Sequence, residues 1–279
     1  MMQTYRRNVM LDLETIRVKP TREGRGTTVL FVHGGYFAAW CWEKFQPYLA
    51  DRGYGSWAVS LRGHGASRTT QPLRSLRLEQ YVEDVVETLK AMPTRPVVVG
   101  HSMGGGIVQK VLGADEDLVS GVVLLSSVPP SGVGGKEALA WTKLGMGAMV
   151  KLWKLHSGKL GPEDAADRTA FPYGMFFAGD LDKDTLVSYG SRMQGESQRA
   201  GKQLSRTVLR DPKSVGVPVA VIGGEEDLFF APQVNHATAD VYGVDATIVS
   251  GVGHAAMLDS NWVAVADRLI DFLESLEER

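Results

Sequence analysis

Ser102 stands between glycines in Gly100-His101-Ser102-Met103-Gly104-Gly105, the pattern G-x-S-x-G. A serine hydroxyl is a poor nucleophile near neutral pH and attacks only when a base takes its proton. With a base and a supporting carboxylate, the chemistry is acyl transfer through a covalent intermediate. In a chain with 32 glycines the pattern alone carries little weight, so its position matters. It follows Val97-Val98-Val99 and opens a helical stretch. A chain reversing there holds the serine in a strained conformation, and side chains two residues to either side would collide, which suits Gly100 and Gly104. The N–H groups at the start of the helix favour negative charge developing beside the hydroxyl.

Six histidines compete to be the base. His33 and His101 sit near the serine on elements expected to turn their side chains elsewhere. His64 lies in Arg62-Gly63-His64-Gly65, where a structural hydrogen bond is expected, and His156 and His236 fall in surface helical segments. His254 follows a strand in Ser250-Gly251-Val252-Gly253-His254, at the carboxyl edge where open α/β sheets carry their ligands. The imidazole needs an acid to fix its tautomer and stabilise its cation. Asp227, in Gly223-Gly224-Glu225-Glu226-Asp227, sits at another strand end and is preferred over Glu226, then Glu225.

These sites need a sheet to position them. β-rich runs at 27–32, 56–61, 97–99, 119–125, 217–222 and 247–249 alternate with helical patterns at 40–51, 77–91, 103–112 and 260–276. The valines at 97–99 have no polar alternation and predict a central strand buried on both faces. The rhythm predicts an α/β fold with a mainly parallel sheet flanked by helices. Residues 128–212 contain no strand pattern. They are too long for a bare loop, so they are expected to pack as a helical insertion between core segments 1–127 and 213–279.

Composition narrows the chemistry further. A net charge of −2 with scattered basic residues offers no stripe for nucleic acid. The opening MMQTYRRNVM lacks an apolar core, and no apolar run approaches the ~20 residues of a membrane span, so a cytoplasmic protein without membrane insertion is expected. The single cysteine, Cys41, cannot form an internal disulfide. No metal-ligand motif and no phosphate loop is present, so neither metal nor cofactor is expected.

The order Ser102, Asp227, His254 resembles the α/β-hydrolase fold family, in its serine esterase and lipase-like branch with a cap insertion. Gly100 to Gly104 resembles its nucleophile elbow, His33-Gly34-Gly35 its H-G loop, and Arg62-Gly63-His64-Gly65-Ala66-Ser67 its R-G-H-G-x-S loop. The resemblance implies oxyanion donors at the backbone N–H groups of Met103 and Gly35, with Tyr36 competing for the second because the glycine is doubled. It makes 128–212 the variable cap. Ser60 departs from the acidic residue that relatives often carry before L-R-G-H-G. Ser102 argues against the family's dehalogenases and epoxide hydrolases, which use an aspartate nucleophile.

Tyr36, Phe37 and Trp40 beside the oxyanion loop, with Trp141, Met146 and Phe176 in the insertion, are expected to line an apolar substrate pocket. The expected activity is hydrolysis of a carboxylic ester of a lipophilic small-to-medium molecule through an acyl-enzyme. Thioesterase, amidase, acyltransferase or C–C hydrolase action on the same three residues is the alternative, and a non-catalytic ligand receptor comes last.

Overall fold

A computed structural model describes residues 3–4, 12–134, 145–167, 171–179 and 181–278. Eight strands form one sheet: β1 (Gln3–Thr4), β2 (Thr15–Val18), β3 (Thr28–Val32), β4 (Gly55–Val59), β5 (Val97–His101), β6 (Gly121–Leu125), β7 (Val219–Gly224) and β8 (Ala246–Val249). Their spatial order is β1-β2-β4-β3-β5-β6-β7-β8. β1 and β2 run antiparallel to their neighbours, and every pairing from β4 through β8 is parallel. Sequence reading omitted β1 and β2. Thr15–Val18 is short and only Thr15 is buried, so no apolar stripe announces it.

Hydrophobic pattern explains the centre of the sheet. All of β5 and β6 is buried, and their β-branched side chains suit a pleated surface covered on both sides. Helix α1 (Phe45–Ala50) packs against the C-terminal helix, while α2 (Leu78–Lys90) packs against α3 (Met103–Ala114). Helix α2 begins where Gln80 Oε1 accepts the N–H of Arg77 at 3.0 Å, a reciprocal cap on one orphan donor.

Between the neighbouring strands β6 and β7, the described residues contain helices and no strand. These helices are α4 (Met146–His156), α5 (Tyr173–Phe176), α6 (Lys183–Gly190) and α7 (Gln198–Gln203). Asp182 and Ser197 cap α6 and α7, accepting the N–H groups of Thr185 and Ala200. After β7, Pro232 opens α8 (Pro232–Tyr242), and α9 (Trp262–Glu277) closes the fold. No described helix is long and apolar enough to cross a membrane.

Candidate active site

Ser102 joins β5 to α3 with φ 52° and ψ −117°, a backbone conformation that L-residues rarely adopt. Its surroundings over-determine it. The Ser102 N–H donates to Leu125 O at 3.1 Å, and its carbonyl accepts from Gly105, Gly106 and Val128 at 3.0, 3.3 and 3.1 Å. The flanking glycines answer a contact requirement. A Cβ on Gly100 would meet Gly105 Cα at 2.7 Å, and one on Gly104 would meet the carbonyl oxygens of Val32 and His33 at 2.5 Å. These obstacles are backbone and cannot rotate away. Gly104→Ala is therefore expected to cost about 1–3 kcal/mol by overpacking. That lowers the melting temperature by roughly 3–10 °C at this chain length, measurable by calorimetry.

His254 sits on the loop after β8. Its backbone carbonyl accepts from His101 Nε2 at 2.8 Å, and the following N–H, of Ala255, donates to Phe176 O at 2.8 Å. Asp259, fully buried, ties the loop from within: Oδ2 accepts from Gly253 N at 2.7 Å and from Ala178 N at 2.9 Å. The ring lies 4.5 Å from that of Phe229 and 4.9 Å from that of His101, centroid to centroid.

The three distant loops meet. Ser102 Oγ donates to His254 Nε2 at 2.9 Å, and His254 Nδ1 lies 3.0 Å from each oxygen of Asp227. Asp227 Oδ1 also accepts the N–H groups of Phe229 and Phe230 at 2.8 and 2.9 Å, so the carboxylate cannot rotate freely. Glu225 and Glu226, rivals by charge, are exposed. The hydroxyl, imidazole and carboxylate thus form one hydrogen-bonded line able to move a proton from serine to histidine.

The other histidines divide by their partners. His33 Nε2 accepts from Leu61 N at 3.0 Å, and burial together with His64 pushes its pKa down to about 3. Burial also keeps His101 neutral, well below the usual range. His156 departs from expectation: instead of facing solvent it lines the cavity beside Ser102, with Nδ1 3.3 Å from the Tyr36 hydroxyl. His236 is exposed on α8, as expected.

A cavity of about 500 Å³ opens beside Ser102 and His254. Met149, Leu152, Val133, Leu204, Phe229 and Phe230 make much of its wall apolar. Gly35, Met103, Tyr36 and Phe176 also line it, so Tyr36 and Phe176 lie among the walls where the pocket was expected. Three other pocket expectations are corrected. Phe37 is fully buried beneath the cavity, with its ring against Phe176, Trp40 and His101. Trp40 stacks on Tyr189 and carries the Arg192 guanidinium 4.1 Å above its ring. Met146 is 83% exposed on the outer side of α4. Trp141 lies outside the described residues. Neighbours in sequence separate here because Tyr36 takes φ 73°, turning its side chain into the cavity while Phe37 goes to the core.

Met103 opens α3, so its N–H is one of those without an intrahelical acceptor. The place of an acid before L-R-G-H-G is filled from elsewhere in the chain. Ser60 Oγ donates to Glu14 Oε2 at 2.6 Å, and the same oxygen accepts from Ala66 N at 3.1 Å. Glu14 was invisible to sequence reasoning because it lies 46 residues away, just before the overlooked β2.

The alpha/beta hydrolase family model matches residues 29–268, most of the chain. The chain belongs to the alpha/beta hydrolase family. Among curated relatives of this family member, Methylesterase 3 of Arabidopsis thaliana is 29% identical over 126 residues, covering 44% of this chain and 48% of that protein. The non-heme chloroperoxidase of Streptomyces lividans is 36% identical over 107 residues, covering 38% of each. The matched stretch thus spans half or less of these relatives' length. Among solved structures, an esterase from Exiguobacterium antarcticum shares the fold with TM-score 0.74 at 18% identity, covering 98% of this chain and all of that one.

Proposed function

We propose that this family member is a serine ester hydrolase, with Ser102 as nucleophile, His254 as general base and acid, and Asp227 as the orienting carboxylate. The observation that carries this reading is the continuous line from Ser102 Oγ through His254 to Asp227, at 2.9 and 3.0 Å, opening on a largely apolar cavity. His254 takes the serine proton as the hydroxyl attacks the ester carbonyl. The backbone N–H groups of Met103 and Gly35 receive the oxyanion, with the N–H of Tyr36 as the competing second donor. His254 then protonates the leaving alcohol, and water activated by the same imidazole releases the acid. Residues 128–212 serve as the cap over a core of 1–127 and 213–279, and choose the substrate.

The cavity suits a neutral ester with a lipophilic acyl or alcohol part of small to medium size. A methylesterase among the relatives and an esterase among the similar structures support ester hydrolysis. A screen of p-nitrophenyl esters from acetate to dodecanoate, with matching thioesters and anilides, tests it. Turnover is expected to be highest for esters of intermediate chain length. Cleavage of thioesters or anilides in preference to esters would move the assignment to that bond class, and no turnover together with no fluorophosphonate labelling would end it.

Leu152 lines the cavity from α4. Leu152→Trp fills part of that space and is expected to lower kcat/KM for an octanoate ester about tenfold or more while leaving acetate within about threefold. A hydrophobic pocket discriminates by roughly 1–3 kcal/mol per methylene gained or lost.

A further inference from the structure

The segment Gln194–Ser197 joins the insertion to the loops that follow β3 and β4 by hydrogen bonds. Gln194 N donates to Tyr36 O at 3.0 Å, Gln194 Nε2 to Gly63 O at 2.7 Å, and Gly65 N to Gln194 Oε1 at 3.0 Å. Two residues on, Glu196 puts a carboxylate into the wall of the cavity while only 5% exposed. It lies against the oxyanion loop: a Cβ on Gly35 would meet Glu196 Oε2 at 3.5 Å.

A bare carboxylate there would oppose the chemistry, because negative charge on the substrate oxygen must grow beside it. Burial alone would raise the Glu196 pKa, but His64, the Ser197 N–H and the Tyr81 hydroxyl reverse this, so the carboxyl is held below its ordinary range and is ionised at neutral pH. Oε1 accepts from the Tyr81 hydroxyl at 2.9 Å and from Ser197 N at 2.6 Å, and Oε2 faces His64 Nε2 at 3.0 Å. The other nitrogen of His64, Nδ1, faces the carbonyl oxygen of Arg62 at 3.3 Å. Both ring nitrogens therefore face atoms that only accept, an arrangement met in full by the imidazolium.

We propose that His64 is a positioning residue whose positive charge neutralises Glu196, letting the insertion be fastened to the oxyanion loop without a net negative charge beside the developing oxyanion. This rests on the ester hydrolase reading, since it concerns the oxyanion of that reaction.

The surrounding groups leave the proton on His64. His33, 5.1 Å away ring to ring, is held neutral by burial and by His64 itself. Burial, with Glu196 beside it, holds the Tyr81 hydroxyl protonated. Asp84 is engaged by the Arg62 guanidinium at 2.6 Å. On the cavity side, Tyr36 and His156 are both kept neutral by burial. Burial alone would lower the pKa of His64, but the Glu196 carboxylate more than offsets this and the net shift is upward. Burial likewise disfavours the charged Glu196, and His64 reverses that to a net downward shift. The compensating charge is thus present at low and neutral pH and is lost as pH rises through the raised value of His64.

The test is kcat against pH for wild type, His64→Gln, Glu196→Gln and the double variant, using a neutral p-nitrophenyl ester. Gln at 64 still donates a hydrogen bond to Glu196 but brings no charge. Its kcat at neutral pH is expected to fall about 10–100-fold, with KM within about threefold, because one uncompensated charge near the reacting oxygen is felt strongly in a water-poor site. The double variant removes the orphaned carboxylate and is expected to recover at least tenfold of a hundredfold loss, or most of a smaller one. Wild type is expected to show an alkaline fall in kcat that Glu196→Gln flattens.

A double variant no better than His64→Gln, or an alkaline fall unchanged by Glu196→Gln, overturns the proposal and leaves the pair a packing contact. If His64→Gln does not fold, the pH profile of Glu196→Gln decides alone. Failure of the ester hydrolase reading appears separately, as wild-type turnover that survives Ser102→Ala.

Discussion

Ser102→Ala is expected to lower kcat for p-nitrophenyl ester hydrolysis by roughly 10⁴–10⁶-fold and to abolish fluorophosphonate labelling. The protein should remain folded, with an unchanged circular dichroism spectrum. The hydroxyl bonds to His254, while the strained backbone is held by main-chain bonds that alanine retains. His254→Ala should cost about as much, and the double variant little more, because hydroxyl and imidazole act as one unit. Additive losses would show that the two work separately.

Asp227→Asn is expected to lower kcat about 10³–10⁴-fold with little change in KM, for a reason specific to this geometry. The Oδ1 position receives two N–H donors, from Phe229 and Phe230, so the amide oxygen of asparagine must take that place. Its NH2 group then occupies the Oδ2 position, 3.0 Å from His254 Nδ1. That donor competes with the oxygen at the Oδ1 position, also 3.0 Å from Nδ1, and favours the tautomer in which Nδ1 accepts and Nε2 carries the proton toward the serine hydroxyl it should deprotonate. Proton inventory by NMR of the imidazole resonances checks the tautomer directly. Retention of more than a tenth of wild-type kcat would show that the carboxylate does not set it.

These consequences show which parts of the protein are written locally and which are not. The strand 97–99, the glycines about Ser102 and the strand-end positions of Asp227 and His254 are local signals, since each depends on a pattern within about ten residues. The parallel pairing of the strands around them follows from the same alternation of strands and helices. Glu14, Glu196 and Asp259 left no such signal. Glu14 and Glu196 take their meaning from partners far along the chain, Ser60 and His64, and Asp259 joins nearby Gly253 to distant Ala178. Asp259 is near enough to His254 to have been weighed as a loop brace, but the N–H groups it accepts belong to turns that no pattern predicts.

Pocket residues were the least legible. Aromatic and methionine side chains pack a core and line a cavity with the same chemistry, so composition does not separate the two roles. The outcome turned on a single backbone angle at Tyr36 and on which side of α4 Met146 happens to lie.

His101, the residue before the nucleophile, links the two halves of the reaction mechanically. Because a carbonyl oxygen only accepts, its bond to the carbonyl of His254 requires the proton on Nε2, leaving Nδ1 bare, with no donor or acceptor meeting it among the described residues. Burial holds this imidazole neutral far into the acid range. The tether from nucleophile to base therefore has no acid-labile part, and mild acidification leaves their spacing intact. A rate lost on moderate acidification would then report chemistry at the reacting groups, not a loosened scaffold.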